Sequence, residues 1–307
     1  MIKLSATLTL VISLSLITIF CNNSSNENKH TSQQSPAGTN QRLADPILRD
    51  SLNYNTIIDN YKSSLGKDFY YEGISYFAVI SNLDSAGTEY IINKTILPAV
   101  ECFYNNFFEK KPAELTTIFL FKNDETYRYW AKKLFDDDDL SRFGYYKPNK
   151  KVMLMNISTG TGTLVHELTH ALVRYDFPDI PSWFNEGLGS LYEHCSLSNG
   201  IILGYVNWRL PDLQNAIRDS SYTGLSDLIN MNDDEFYGNR SNFNYSQARY
   251  FCMFMQEKNV LKKFYKAFRD NFDNDKTGKL EIEKVFGQKL NDIDKDYVSW
   301  VKTLKYE

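Results

Sequence analysis

The stretch His166-Glu167-Leu168-Thr169-His170 limits what this chain can fold into more than any other. Two imidazoles four positions apart leave the same face only on a helix, so the pattern predicts a helix here. From that face both rings can bind one metal ion. Glu167 is rotated by roughly 100° from His166, so it misses the ion but can reach a water beside it. Glu186 follows sixteen residues after His170, inside Trp183-Phe184-Asn185-Glu186-Gly187, a second apolar segment that reads as a helix. It supplies an acidic group where a third ligand is wanted. Two imidazoles and one carboxylate leave one position of a tetrahedral zinc open, as a hydrolytic site requires.

A charged helix face that happens to carry two histidines is the bland alternative. The surroundings weigh against it. The chain has four histidines, and two of them occupy the motif. Leu164, Val165, Leu168, Ala171 and Leu172 predict a buried helix. Thr159-Gly160-Thr161-Gly162-Thr163 precedes it, with hydroxyls suited to a helix cap.

The run His166 to Leu172, followed by Ile180-Pro181-Ser182-Trp183-Phe184-Asn185-Glu186-Gly187-Leu188-Gly189, resembles the gluzincin metallopeptidases of the peptidase MA-like group. The resemblance is strong over about residues 150–195 and weaker over about 70–305. It implies one zinc per chain held by His166, His170 and Glu186, with Glu167 as general base and a peptide or protein as substrate. Gly189 stands where the family commonly has Ala. The spacing from His170 to Glu186 is a little shorter than in the aminopeptidases that share Asn-Glu-Gly, and their upstream motif is absent, so exopeptidase specificity is not implied. Gluzincins often draw an oxyanion donor from the downstream lobe. Tyr245, in Asn244-Tyr245-Ser246-Gln247-Ala248, matches that pattern, with a packing or capping role as its alternative and Tyr237 and Tyr250 as the next candidates. Zincins also pair extended substrate with an edge strand ahead of the motif helix, and Lys151–Asn156 is the segment expected to do so.

The expected fold is α+β. A zincin-like upper lobe, about residues 70–175, carries a mixed sheet and the active-site helix, and a mainly helical lower lobe follows over 176–307. Strands are predicted at Tyr76–Ile80, Thr117–Phe121 and Lys151–Asn156. Ser85–Phe108 reads as helical with a break or new start at Pro98. Asn123 or Asp124 should cap the helix through Trp130. Ala248, Phe251, Cys252 and Met255, then Leu261, Phe264 and Phe268, follow helical spacing.

Composition sets outer bounds. The chain has 307 residues, 42% hydrophobic and 15% aromatic, enough for a sizeable core. Its 34 basic and 38 acidic residues, net −4, argue against nucleic acid as a partner. Lys3 and the apolar run Leu8–Phe20 read as an export signal over residues 1–20. Ile17–Cys21 resembles a loose bacterial lipobox, since Phe20 is not small. Residues 21–50 then form a polar tether behind a lipidated Cys21, ahead of a catalytic domain at 51–307. The expectation is an exported protein of the bacterial envelope, lipid-anchored to a membrane. A cleaved, secreted form and a retained anchor are the alternatives.

The remaining features are quieter. Cys102, Cys195 and Cys252 suit buried small apolar positions, with one disulfide pair possible. Glu193 either orients a histidine or faces solvent. His194 reads as an ordinary surface histidine. Asp136–Asp139 reads as a solvated loop. Asp273–Leu280 begins like a calcium loop, but Lys284 stands where a bidentate Glu is needed, so an acidic turn is expected. Two functions compete with the peptidase: a non-catalytic surface lipoprotein using the same fold for binding, and a zinc hydrolase of other substrates.

Overall fold

A computed structural model describes residues 54–138 and 140–306. The predicted export signal, the tether and Cys21 lie outside them. The chain opens with helix α1 (Tyr54–Leu65) and the strands β1 (Tyr70–Ile74) and β2 (Phe77–Ser81). Helices α2 (Ser85–Ile91) and α3 (Leu97–Asn106) follow, joined by a π-turn at Ile92–Ile96. Next come β3 (Thr116–Phe121), α4 (Asp124–Phe135), β4 (Gly144–Lys147) and β5 (Val152–Asn156).

The five strands form one sheet in the order β1-β2-β3-β5-β4. Its centre, β2-β3-β5, is parallel, and β1 and β4 join antiparallel at the two edges. Central strands covered on both faces should be apolar throughout, and Thr116–Phe121 and Val152–Asn156 are buried along their whole length. Residue parity then divides them between two cores. Phe77, Val79, Ile118, Leu120, Met153 and Met155 face the larger core, and Ile80, Phe119, Phe121, Val152 and Leu154 face the smaller one. The smaller core is closed by Leu65 of α1 and by Tyr127 and Ala131 of α4.

The larger core continues into the second half of the chain. That half contains α5 (Gly162–Asp176), α6 (Ser182–Leu191), the hairpin β6 (Cys195–Ser198) and β7 (Ile201–Gly204), and α7 (Leu210–Arg218). It ends with α8 (Leu225–Asn230), α9 (Asp233–Phe236), α10 (Ser241–Glu257), α11 (Leu261–Asn271), α12 (Lys279–Phe286) and α13 (Leu290–Val301). Leu168, Trp183, Leu188, Phe251, Phe264 and Tyr297 extend the apolar cluster from the sheet through these helices without a break. The fold is therefore α+β, a mixed sheet with helices followed by a mostly helical half.

Several expectations change. The strand predicted from Tyr76 begins at Phe77, and β1 was not foreseen. Of the two expectations for Pro98, a break or a new start, the structure shows the new start. The proline sits in the first turn of α3, where its missing N–H costs nothing, and the Leu97 N–H reaches back to Ile92 O in a widened turn just ahead of it. Val152–Asn156 is a strand as predicted, but it lies inside the sheet, and the edge belongs to β4. Asp137 is more than a solvated loop residue: it accepts from Lys147 Nζ at 2.7 Å and from the Tyr145 hydroxyl, pinning β4. Asp275 closes the start of α12, accepting from the N–H groups of Gly278, Leu280 and Glu281. Its carboxylate is used up there, as the acidic-turn reading requires. Cys102, Cys195 and Cys252 are free thiols, two of them buried and Cys195 half-buried.

Candidate metal centre

Helix α5 runs under the sheet with Leu164, Leu168, Ala171 and Leu172 buried. Its apolar face holds the helix in place, and the His166–His170 edge turns toward α6. Helix α6 packs between α5 and α10, and it approaches α10 closely because Gly187 has no side chain. A Cβ there would lie 2.8 Å from Ala248 O of α10. Gly189 is constrained less severely: a Cβ would sit 3.2 Å from three atoms of the His166 ring, close enough that the ring would have to shift by a few tenths of an ångström. The family's commoner Ala at this position would push against a ligand ring.

The packing brings three donors together. His166 Nε2 and His170 Nε2 are 2.8 Å apart. Glu186 Oε2 lies 3.2 Å from the first and 3.3 Å from the second. His166, His170 and Glu186 are the group among the described residues that could hold a metal ion. Their environment fits that role. Glu186 Oε2 is fully buried and accepts no hydrogen bond among the described residues. Such an orphaned carboxylate oxygen is costly unless something cationic meets it.

The far sides of the donors are held. His170 Nδ1 donates to Asn185 Oδ1 at 2.9 Å. His166 Nδ1 lies 3.3 Å from Glu193 Oε1. The His170 bond places that ring's proton on Nδ1 and leaves its Nε2 as the lone-pair donor, and the Glu193 carboxylate faces His166 Nδ1 in the corresponding place. Glu193 stands just past the end of α6, fixed by Arg209 through Nε at 3.1 Å and Nη2 at 3.0 Å. It therefore orients a histidine. The Tyr237 hydroxyl donates to Glu186 Oε1 at 2.7 Å, so only Oε2 faces the histidines. Helix α9 sets that tyrosine: Asn232 and Glu235 form a capping box, and Ser182 at the start of α6 donates to Asp233 at 2.5 Å.

The electrostatics follow from crowding. Burial works against a charged His166, but the Glu186 and Glu193 carboxylates beside it prevail and push its pKa up to about 10, so a proton competes with a metal ion for the space between the donors. Burial likewise opposes the Glu193 carboxylate, yet His166 and Arg209 hold it down to about 2. Glu186 is held well below the usual carboxylate range: burial opposes this, and the charge of His170 and the bonds of both histidines overcome it. Glu167 moves the other way. Burial raises its carboxyl, and the two histidines offset only part of the rise.

Glu167 and Tyr245 both line a cleft on each side of the donors. Tyr245 sits in the second turn of α10, since that helix begins at Ser241. Its phenol is raised by burial, with the Glu186 carboxylate nearby adding to the effect. Tyr250 leaves the list of donors. It is fully buried and its hydroxyl donates to Asn207 O and accepts from Asn207 N. His194 is exposed, with Nδ1 donating to Val206 O. The α5 start takes no side-chain cap from the preceding threonines: Thr161 occupies the cap position without such a bond.

The motif's sequence thus located every converging donor. The sequence did not assign Asn185 or Arg209 a role, and it named Tyr237 only as a further candidate oxyanion donor, whereas the structure has its hydroxyl on Glu186. Asn185 is the neighbour of Glu186 and could have been read as turning back toward α5. Tyr237 lies 51 residues from Glu186, and no periodicity links the two. No protein-family profile matches the chain, and no curated protein matches it either.

Proposed function

We propose that the protein is a zinc-dependent peptidase that hydrolyses peptide bonds at this centre. The observation carrying the reading is the buried, unpaired Glu186 Oε2 facing two Nε2 atoms, with Glu167 beside them on an open cleft. The donor set is that of a hydrolytic zinc site, and the resemblance of His166–Gly189 to gluzincins points the same way.

In this reading His166, His170 and Glu186 hold the ion, and Asn185, Glu193 and Tyr237 keep them aimed. Zinc, when bound, supplies Lewis-acid polarisation of a carbonyl and a water acidified to a pKa of about 7. Glu167 would act as the proton carrier of the site, accepting a proton from the attacking water and giving it to the leaving amine. Its raised carboxyl brings it closer to neutrality, where one group can do both. Tyr245 donates to the carbonyl oxygen as it gains charge. The substrate backbone pairs with β4, the free edge of the sheet, whose residues 144 to 146 line the cleft.

The test is Glu167→Gln. It removes the base and touches no ligand. Cleavage of denatured casein should fall by roughly 10²–10⁴ with zinc content unchanged. Parental activity in this variant would remove Glu167 from the chemistry.

A further inference from the structure

The hairpin β6–β7 springs from the rim of the cleft. Glu193, just before β6, and Trp208, just after β7, line the same half of it. The Tyr205 N–H donates to His194 O at 2.8 Å and closes the hairpin's base. At the far end Asn199 and Gly200 turn with φ of 52° and 70°, the two positive values a tight hairpin needs. Asn106 of α3 donates to Gly200 O at 2.8 Å and holds that tip down. The hairpin is therefore fixed at both ends.

Its two faces differ. Ile202 is buried and Gly204 lies against Leu191, so the even positions of β7 face the core. The odd positions point outward, and they are not polar: Ile201 is 47% exposed, Leu203 42% and Tyr205 44%. Trp208, 51% exposed, follows three residues after Tyr205 and lines the cleft. An outward strand face would ordinarily be polar throughout, as Ser196 and Ser198 opposite Leu203 and Ile201 are. Three large apolar side chains along one strand, with Trp208 beyond them at a candidate active site, make a surface of the kind that marks an interaction.

We infer that this row is an exosite for the substrate itself, binding an apolar segment that runs on past the scissile bond. The inference rests on the peptidase reading above. Continuity selects the occupant: any chain leaving the cleft beside Trp208 meets Tyr205, Leu203 and Ile201 in turn. Antiparallel pairing with β4, the stronger of the two ladders, places the carboxyl-terminal side of the substrate at Phe143 and Trp208. From Tyr205 to Ile201 the row covers about 14 Å, at about 3.4 Å per residue. The substrate class is therefore polypeptide, with an extended apolar stretch of about four residues shortly after the cut bond.

The experiment uses two end-blocked, internally quenched peptides built on one bond found in casein. One is short, and the other carries a four-residue apolar extension on its carboxyl side. The extension should lower KM about tenfold and leave kcat alone, because it binds ground state and transition state alike. Leu203→Asp and, separately, Ile201→Asp should abolish that advantage while the short peptide is cleaved as before. Polarisation of the labelled long peptide on the Glu167→Gln protein should show the same loss without turnover. Cleavage of both peptides with equal KM, or an advantage that survives both substitutions, overturns the exosite and leaves the peptidase reading standing. A loss of self-association or of vesicle binding in these variants, with KM unmoved, assigns the row to a second copy or a membrane and overturns it too. Failure to cleave either peptide takes down both.

Discussion

Asp176 and Glu186 are both buried carboxylates, one at the end of α5 and the other in the middle of α6, and every lone pair of the first is spoken for. Asp176 Oδ1 accepts from the N–H groups of Glu109 and Lys110, each at 2.7 Å. Its Oδ2 accepts from Tyr265 at 2.8 Å and Arg269 Nη1 at 2.9 Å. Glu186 has one oxygen bound to Tyr237, while the other faces two imidazole nitrogens at 3.2 and 3.3 Å and makes no hydrogen bond among the described residues. The first cluster is closed and ties the loop after α3 to α5 and α11. The second is held from behind and left open in front. A buried charge alone does not mark a site, but converging lone pairs do.

The contrast can be broken most forcefully at the closed cluster. Asp176→Ala takes the shared acceptor from the Glu109 and Lys110 N–H groups, the Tyr265 hydroxyl and Arg269 Nη1, while Arg269 keeps Glu109 and Asp270; each buried donor left unsatisfied costs about 1–3 kcal/mol. The urea midpoint should drop accordingly while zinc content per folded chain stays the same. A pH profile adds a sign. Burial opposes the Asp176 charge, but the N–H groups of Lys110 and Glu109, then Arg269 and Tyr265, hold its carboxyl below the usual value. Its folded pKa is thus depressed. The stability it contributes is present above the unfolded value, about 3.9, and is lost as pH falls through the folded one. The parent should lose stability steeply below about pH 4, and the variant more gradually. Lost zinc with an unchanged midpoint would reverse the two roles.

At the open cluster the expected losses are functional. Tyr245→Phe should leave the melting temperature and zinc content near parental. Removing one oxyanion donor costs about 2.7–4 kcal/mol, or 10²–10³ in kcat, with KM little changed. A parental kcat would confine Tyr245 to packing. Tyr237→Phe sharpens the picture at smaller scale. It frees Glu186 Oε1 from its only fixed partner, so zinc affinity, read by competition with a chelator, should fall about 10–100-fold. An unchanged affinity would mean that α9 does not aim the ligand.

How much of this the sequence reveals depends on distance along the chain. His166, Glu167 and His170 are fixed by helical geometry within one segment, so their arrangement is readable from spacing alone. Glu186 is legible because its helix carries a recognisable apolar run and one acid. The α+β class follows from apolar runs of strand length ahead of helical periodicity. The edge of the sheet is not legible. Val152–Asn156 looks like the strand nearest the motif helix, and the short Gly144–Lys147, half polar, gives no strand signal of its own. Its place is set by antiparallel pairing with β5 and by Asp137. Arg209 and Tyr237 reach the site across long loops, through contacts that no local pattern encodes. Gly189 is the instructive intermediate: the family's Ala suggests a harmless change, whereas the His166 ring rests directly against it.

The central claim is that the open cluster holds zinc. Metal analysis of the purified protein, dialysed against metal-free buffer, tests it directly. Close to one zinc per chain is expected, falling sharply in Glu186→Ala while Asp176→Ala keeps it. A clean, folded protein that carries no zinc and takes none up when it is supplied would contradict the account.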